Sequence, residues 1–230
     1  MAELFPIQEV QRFWNRKTRP RVNLERTLQN SVPKPQKQEK QKEKHMAFTV
    51  HTTETAPEAS KPILEGAAAK YGFTPNLLGV LAESPSALKA YGALAEAVAG
   101  TSLSPTEQQV VLMTTSFENN CTYCMAAHST ISGMTGVPED VVESLRAGTP
   151  LADAKLNALA DFTRATVRNN GFVDSSVTDA FLAAGYTNES ILDVITAIAQ
   201  KTISNFTNHF AHTPSDDAFA PKAWTKPANA

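Results

Sequence analysis

Two cysteines and a histidine are the residues of this sequence whose types and spacing point most directly to chemistry. Cys121, Cys124 and His128 are three and four residues apart, so on a helix they share one face. Asn119-Asn120 just before them is typical of a helix break and can cap a new helix, which puts both cysteines in its first turn. Free backbone N–H groups there favour a thiolate, and the histidine can accept a proton from Cys124 or stabilise its anion. Two such thiols can also close a reversible disulfide, so the group has the parts of a two-thiol redox centre.

Two other kinds of site fit the same residues. Zinc could be bound by the cysteine pair and His128, with His209 or His212 as the fourth ligand, although structural zinc sites usually join loops rather than one helical face. The cysteines could also be purely structural, buried beside a hydrogen-bonded histidine. The shared face and the preceding cap favour redox chemistry, which requires that a small molecule can reach the sulfur atoms.

The elements that must position these residues are helical. Ser84-Pro85 and Ser104-Pro105 each place a capping hydroxyl before a proline at the first helical position, and Glu107 completes a capping box after Ser104. No hairpin signal or convincing alternating strand occurs, so we predict an all-α fold and exclude a thioredoxin-type CxxC, which follows a strand. A long apolar stripe predicts a last helix ending near residue 210: Ile191, Val194, Ile195, Ile198, Thr202, Phe206 and Phe210.

Composition divides the 230 residues into two parts. Residues 1–45 contain 11 Lys and Arg against 5 Asp and Glu, a net charge of +6. Residues 46–230 have a net charge of −8, which gives −2 for the whole chain. We predict that 1–45 is a disordered basic N-terminal extension, and that 46–230 is the helical domain with a proline-containing tail after His212. The tail is expected to be an extended wrap or a frayed end, with Trp224 packing on a neighbouring subunit.

The same composition argues against several partners and compartments. Glu39 and Glu43 interrupt the basic run, and no aromatic residues are interleaved with it, so we expect no nucleic-acid and no membrane partner. No apolar stretch approaches the roughly 18 residues of a membrane span, and neither a secretory nor a transit pattern is present. These absences lead us to expect a cytoplasmic protein.

The segment from Leu103-Ser104-Pro105 to His128, a capped helix followed by CxxCxxxH, resembles the carboxymuconolactone decarboxylase/alkylhydroperoxidase-D-like (AhpD-like) family. The resemblance extends over most of residues 46 to about 221. It implies an all-helical fold that assembles into homotrimers or hexamers. For members with both cysteines it implies thiol-dependent reduction of hydroperoxides, with Cys124 as the peroxidatic thiol, Cys121 as the resolving thiol and His128 in a proton relay.

One position departs from the family pattern. Many members have a glutamate twelve residues before the first cysteine, where this chain has Gln109, which can form hydrogen bonds but cannot take up a proton. Glu118, close to Cys121 in the chain, is the candidate substitute in the catalytic set, whereas Glu107 is accounted for by the capping box. Members that decarboxylate the lactone typically lack the cysteine pair, which argues against that reaction here.

The sequence therefore predicts a hydroperoxide reductase of peroxiredoxin type that needs a hydroperoxide, an external dithiol reductant, and neither a bound cofactor nor a metal. Cys121, Cys124, His128 and Glu118 are its predicted catalytic residues. The alternatives are a non-catalytic oligomeric module that senses redox state or binds zinc, and a decarboxylase-like acid–base enzyme that uses His128.

Overall fold

The computed structural model describes residues 48–228, and the predicted disordered extension, 1–45, lies outside them. Within the described range the fold is all-α, as predicted. The helices in chain order are α1 (Lys61–Tyr71), α2 (Asn76–Leu81), α3 (Pro85–Ala99), α4 (Pro105–Glu118), α5 (Thr122–Met134), α6 (Glu139–Ala147), α7 (Ala154–Arg168), α8 (Ser175–Ala183), α9 (Asn188–Ala211) and a 3-10 helix (Asp217–Lys222). No helix among residues 48–228 is long and apolar enough to cross a bilayer.

Helix α4 is the centre of the fold. Its residues from Val110 to Phe117 are buried on all sides, because α5, α6, α7 and α9 pack around it. Its start is fixed by the predicted capping box, in which the Ser104 hydroxyl accepts from the Glu107 N–H and the Glu107 carboxylate accepts from the Ser104 N–H. The helix that delivers the chain to the cysteines is thereby held at both its beginning and its flanks.

A second apolar cluster surrounds the cysteine pair. It joins α1, α2 and α3 to the first turns of α5 and to the 3-10 helix, through side chains that include Leu64, Leu81, Leu88 and Phe219. The cysteines therefore lie where two halves of the domain meet, with α4 and α9 on one side and the N-terminal helices on the other.

The long helix α9 spans the predicted region, but its buried face differs from the predicted stripe. Ile195, Phe206 and Phe210 are exposed, whereas the buried face carries several polar residues. This buried face consists of Ser190, Val194, Ala197, Gln200, Lys201, Ser204, Asn205 and Asn208. The apolar period was a poor guide here because α9 faces a polar site and not only the core.

The tail after α9 is an ordered wrap. Phe219 packs edge-to-face on Tyr123, with ring centroids 5.8 Å apart. Trp224, which was expected to pack on a neighbouring subunit, packs instead inside its own chain. Its ring lies 5.7 Å from that of Phe117, and its indole N–H donates to the Arg146 carbonyl oxygen at 2.8 Å. A buried tryptophan needs a partner for its N–H, and the end of α6 supplies it.

Candidate active site

The cysteine motif is positioned by the break between α4 and α5. Asn119 ends α4 and Asn120 has a left-handed backbone, with a φ of 53°. Cys121 is itself the N-cap of α5, which replaces the asparagine cap expected from the sequence, and Cys124 lies in the first turn. The Asn119 amide donates to Asn205 Oδ1 at 2.9 Å, so the break is tied directly to α9. The left-handed residue turns the chain sharply enough to aim both thiols at α9.

Both cysteines are free thiols held in one hydrogen-bonded group. The Asn208 amide nitrogen lies 3.3 Å from Cys124 Sγ and 3.8 Å from Cys121 Sγ. The two thiols are also hydrogen-bonded to each other, and Ser204 hydrogen-bonds to Cys124. Asn208 and Ser204 come from the buried face of α9, about eighty residues away in the chain. The site is therefore made by α5 and α9 together.

The protonation of the pair is unequal. Burial opposes ionisation of Cys124, but the Cys121 thiol and the charge of Lys201 outweigh it, so the pKa of Cys124 lies well below its ordinary value of 9.0. The hydrogen bond to Cys124, together with burial, raises the pKa of the Cys121 thiol. The arrangement thus favours a Cys124 thiolate that accepts a hydrogen bond from a Cys121 thiol.

His128 is joined to α4 and α9, and among residues 48–228 no hydrogen bond links it to either cysteine. Its Nδ1 lies 2.9 Å from Gln109 Oε1 and its Nε2 lies 3.0 Å from Lys201 Nζ. Burial and the Lys201 charge lower the pKa of His128 well below its usual range, so the ring is neutral at neutral pH. An Nδ1–H that donates to Gln109 leaves Nε2 as the acceptor for the ammonium group. Gln109 thus fixes the tautomer of His128.

Lys201 is, with Ser204 and Asn208, one of the residues of the site that the sequence analysis did not predict. Its side chain is only 1% exposed, although lysine is among the side chains least often buried. The available signal was its position in the same helical row as Val194, Ala197 and Ser204, where a charged residue interrupts an otherwise uncharged face. A single lysine in an amphipathic helix is normally interpreted as solvent-exposed, so the sequence alone does not indicate that Lys201 is buried.

Glu118 lies in the chain near Cys121 but is held by another helix. Its carboxylate accepts from Arg164 Nε at 3.1 Å and from Arg168 Nε at 2.6 Å, both on α7. No hydrogen bond links it to Cys121, Cys124 or His128 within residues 48–228. These contacts give Glu118 a structural function between α4 and α7, and its predicted participation in the relay stays a prediction.

The sulfur atoms are covered in this conformation. Cys121 is 1% and Cys124 is 2% exposed, so the static structure does not provide the open path that the redox interpretation requires. Part of the cover is fastened at Tyr123, whose hydroxyl donates to Asp216 in the tail at 2.5 Å and accepts from the Leu77 N–H at 3.3 Å. Asp216 also accepts from the Asn76 N–H at 3.0 Å. We call the Tyr123–Asp216–Asn76 group the latch.

A cavity of about 330 Å³ lies beside the latch. Neither cysteine lines it, but Asp216, which holds Tyr123, forms part of its wall. The full lining is Phe73, Asn76, Ser215, Asp216, Asp217 and Ala218. The cavity therefore borders two latch residues, Asn76 and Asp216, and does not reach the cysteine pair.

Nothing in the described range supports the zinc interpretation. No group of three or more His, Cys, Asp or Glu side chains among residues 48–228 is arranged to hold a metal ion. His209 and His212, the candidate fourth ligands, are both exposed at the end of α9. The nitrogen partners of the cysteines are instead the amide of Asn208 and the ammonium group of Lys201. Both groups donate hydrogen bonds, and neither has a free lone pair on nitrogen for a metal ion.

Comparison with known proteins identifies the fold and the central domain. The carboxymuconolactone decarboxylase family model matches residues 85–165, from α3 through most of α7. An AhpD-core, peroxidase-related protein from Ralstonia eutropha superposes with a TM-score of 0.68 at 22% identity, covering 75% of this chain and 93% of its own. A peroxidase-related protein from a Silicibacter species gives 0.63 at 20% identity, covering 76% and 96%.

A third solved structure is the debrominase Bmp8, with a TM-score of 0.65 at 20% identity over 76% of this chain and 95% of that one. A cysteine-to-alanine variant of Bmp8 in complex with 2,3,4-tribromopyrrole also matches, at 21% identity. No curated protein sequence matches the chain. At these identities the structural matches establish the fold, and the family model adds the helices that carry the CxxCxxxH motif. The described part of the chain therefore has the AhpD-like fold, and within it residues 85–165 match the carboxymuconolactone decarboxylase family.

Proposed function

We propose that this protein is a thiol-dependent hydroperoxide reductase that cycles Cys121 and Cys124 between dithiol and disulfide. One observation carries the proposal: a single amide nitrogen, Asn208 Nδ2, is within hydrogen-bond distance of both sulfur atoms, which are also in contact with each other. Two thiols held in this way can form a disulfide with little rearrangement of their helix. Their unequal protonation supplies a nucleophile and a resolving thiol in one group.

The proposed reaction has two steps. The Cys124 thiolate attacks the distal oxygen of the hydroperoxide, so an S–O bond forms, the O–O bond breaks and the leaving alkoxide takes up a proton. Cys121 then attacks the resulting sulfenic acid, forming the S–S bond and releasing water. An external dithiol reduces this disulfide by exchange and becomes a disulfide itself. The cycle needs no bound cofactor, and a cytoplasmic location would supply reducing thiols.

The debrominase neighbour motivates a second candidate, reductive debromination. In this reaction the Cys124 thiolate would take bromine from an aryl bromide, the aryl carbanion would be protonated, and Cys121 would displace bromide to form the same disulfide. The observation that favours it is the apolar cluster around the thiols, which suits an aromatic substrate as well as an alkyl hydroperoxide. Bromide release from a brominated pyrrole, compared with hydroperoxide consumption, distinguishes the two reactions.

The decisive experiment is consumption of cumene hydroperoxide with dithiothreitol as donor, measured on the unmodified protein and on Cys124→Ser and Cys121→Ser. We expect Cys124→Ser to be inactive, and Cys121→Ser to react once and stop at the sulfenic acid or a mixed disulfide. Undiminished turnover by Cys124→Ser would overturn the proposal. Persistence of lactone decarboxylation without either thiol would instead support acid–base chemistry at His128, and disulfide formation without turnover would support a redox sensor.

We also propose that the protein is a homo-oligomer, a trimer or hexamer, as the family resemblance implies. The surface that supports this is the row of exposed apolar side chains along α9: Leu192, Ile195, Phe206 and Phe210. Rows of this kind on a long helix are typical of contacts between subunits. Light scattering should give a multiple of the 24.8 kDa chain mass, and Phe206→Asp should lower it. A monomeric unmodified protein would contradict this assembly.

A further inference from the structure

Lys201 is a buried cation for which the described chain provides no carboxylate. Its side chain is 1% exposed, and no Asp or Glu forms an ion pair with it among residues 48–228. Its nitrogen contacts His128 Nε2 at 3.0 Å, and it lies on the same face of α9 as Ser204 and Asn208, which bind the cysteine sulfurs. An isolated buried ammonium group is strongly destabilising, so either a counter-charge is present or the group loses its proton.

The counter-charge can be identified from the titratable groups around the site, which are Cys121, Cys124, His128, Tyr91 and Tyr123. Both tyrosines stay neutral at neutral pH because burial raises the pKa of each phenol. His128 is neutral, and Cys121 keeps its proton through its hydrogen bond to Cys124. The Cys124 thiolate is the remaining anion. The Lys201 side chain also hydrogen-bonds to Cys124, so the two groups can form a buried ion pair that exists only while Cys124 is ionised.

Gln109 determines which group can act as an acid. Because Gln109 Oε1 accepts from His128 Nδ1, the ring presents Nε2 to Lys201 as an acceptor and has no proton to give on that side. Gln109 itself cannot take up or release a proton. The ammonium group of Lys201 is therefore the only strong proton donor beside the Cys124 sulfur in the described part of the chain.

Building on the proposed hydroperoxide reduction, we propose that Lys201 is a catalytic residue with two functions. It is the counter-charge of the Cys124 thiolate, and it is the acid that protonates the alkoxide leaving group. A consequence is that the charge of Lys201 follows the redox state of the cysteine pair. The lysine is charged in the dithiol form and neutral in the disulfide form, where no anion remains to pair with it.

The protons balance through the cycle. In the first step the thiolate becomes a sulfenic acid, the O–O bond breaks, and the alkoxide takes a proton from the ammonium group of Lys201. In the second step the neutral amine accepts the Cys121 thiol proton and returns it to the departing hydroxide as the S–S bond forms. The oxidised site then holds a disulfide and a neutral amine. Reduction by a dithiol delivers two protons, one to Lys201 and one to Cys121, and regenerates the thiolate.

The counter-charge function can be tested without substrate and without access to the buried sulfur. The ultraviolet absorbance of the thiolate is followed against pH in the reduced unmodified protein, in Lys201→Met, and in Lys89→Met, which removes an exposed lysine of α3 as a control. We expect the unmodified protein and Lys89→Met to keep the thiolate at neutral pH. Lys201→Met should lose it, with a midpoint at least about one pH unit higher, which is about a tenfold smaller thiolate fraction below the midpoint. An unshifted midpoint in Lys201→Met would overturn the ion pair.

The acid function is tested by single-turnover reaction with cumene hydroperoxide. Lys201→Arg keeps a positive charge but holds its proton too strongly to transfer it, so it should retain the thiolate absorbance while its rate falls at least about tenfold. Lys201→Met should remain slow even above its raised midpoint, where the thiol is fully ionised. Full recovery of its rate there would overturn the acid function and leave the hydroperoxide reaction itself intact. Absence of turnover in the unmodified protein, with the thiolate result as expected, would overturn the proposed substrate and with it the acid function.

A measurement on the unmodified protein tests the same coupling without depending on whether the variants fold. Diamide oxidises a dithiol by taking up two electrons and two protons. If Lys201 gives up its proton on oxidation, a weakly buffered solution of the thiolate-containing protein should show no net proton exchange. Uptake of about one proton per disulfide would mean that Lys201 stays charged and would overturn the coupling of its charge to the cysteine pair.

Discussion

We predict that the latch at Asp216 controls how often the cysteine pair becomes accessible, and replacing Asp216 with alanine tests this. The carboxylate accepts from Tyr123 Oη at 2.5 Å and from the Asn76 N–H at 3.0 Å. Asp216 and Tyr123 are both buried, and the latter lies between the two cysteines in the chain. Removing the carboxylate frees the tail from both α5 and α2 at one point.

The expected increase in the open population follows from the contacts that the Asp216→Ala variant loses. A hydrogen bond to a charged group contributes about 1.5–3 kcal/mol, and the alanine variant loses two donors to one carboxylate, with a buried hydroxyl left unpaired. Allowing for relaxation of the tail, we take about 3 kcal/mol for local opening, which corresponds to about a hundredfold larger open population. When opening is fast compared with reaction, the rate of thiol alkylation follows this population.

The assay is alkylation of the reduced protein by iodoacetamide, read by mass spectrometry at Cys124. The matched control is Asp217→Ala, which removes the adjacent exposed carboxylate that has no part in the latch. Asp216→Asn should be intermediate, because it keeps an acceptor for Tyr123 but loses the charge. Equal alkylation rates for the Asp216→Ala and Asp217→Ala proteins would show that the sulfur atoms are reached by another route, and the reasoning about the cover would be wrong.

Three further predictions concern the relay and the stability of the domain. Gln109→Glu places an acid beside His128 Nδ1 and should raise the pKa of His128 and the peroxidase rate, whereas an unchanged pH–rate profile would show that this position is irrelevant. Burial opposes ionisation of Glu107, but hydrogen bonds from Ser104, Lys155 and Tyr186 lower its pKa to about 2, so its stabilisation is complete above pH 4.5 and lost as the pH falls through about 2. Glu107→Gln should therefore cost about 1–2 kcal/mol of unfolding free energy at neutral pH, as measured by urea denaturation, and this difference should disappear in acid. A difference in unfolding free energy that stays constant with pH would contradict this. Gly148 has a φ of 71°, and a Cβ added there would overlap the Phe117 ring, so Gly148→Ala should cost about 2–4 kcal/mol of unfolding free energy in the same assay. Gly171→Ala, at a φ of 86° in open space, is the control that measures the cost of backbone strain alone. Equal losses of unfolding free energy in the two variants would refute the clash.

The helices around the cysteine motif could be predicted from the sequence because their signals are local. Ser84 and Ser104 cap helices where the Ser-Pro pairs indicated, and Asn119-Asn120 ends α4 as expected. A cap depends on side chains within three or four positions of the backbone groups that they satisfy. The prediction that Cys124 lies in the first turn of a helix therefore needed no tertiary information.

The partners of the cysteines could not be predicted, because they depend on how α9 is rotated about its own axis. An apolar period assigns Ile195 and Phe206 to the core, yet the chain buries Lys201 and Asn208 on the site-facing side. The choice between these faces is made by the hydrogen-bonding needs of groups on α5 and α4, which lie far away in the sequence. The contacts of Glu118 could not be predicted either, because nearness to Cys121 along the chain does not reveal that its side chain is held by α7.

The route of the C-terminal tail has a consequence for shortened versions of this protein. The residues that close over the CxxC helix, Asp216 and Phe219, follow the last α-helix, and Trp224 and Arg146 anchor the segment beyond them. A premature stop codon just after residue 213 would leave all nine α-helices of the described range encoded and would remove only this closing strip. Such a truncated product should leave the cysteine pair less covered, so alkylating toxins and oxidants should modify it faster than they modify the intact chain.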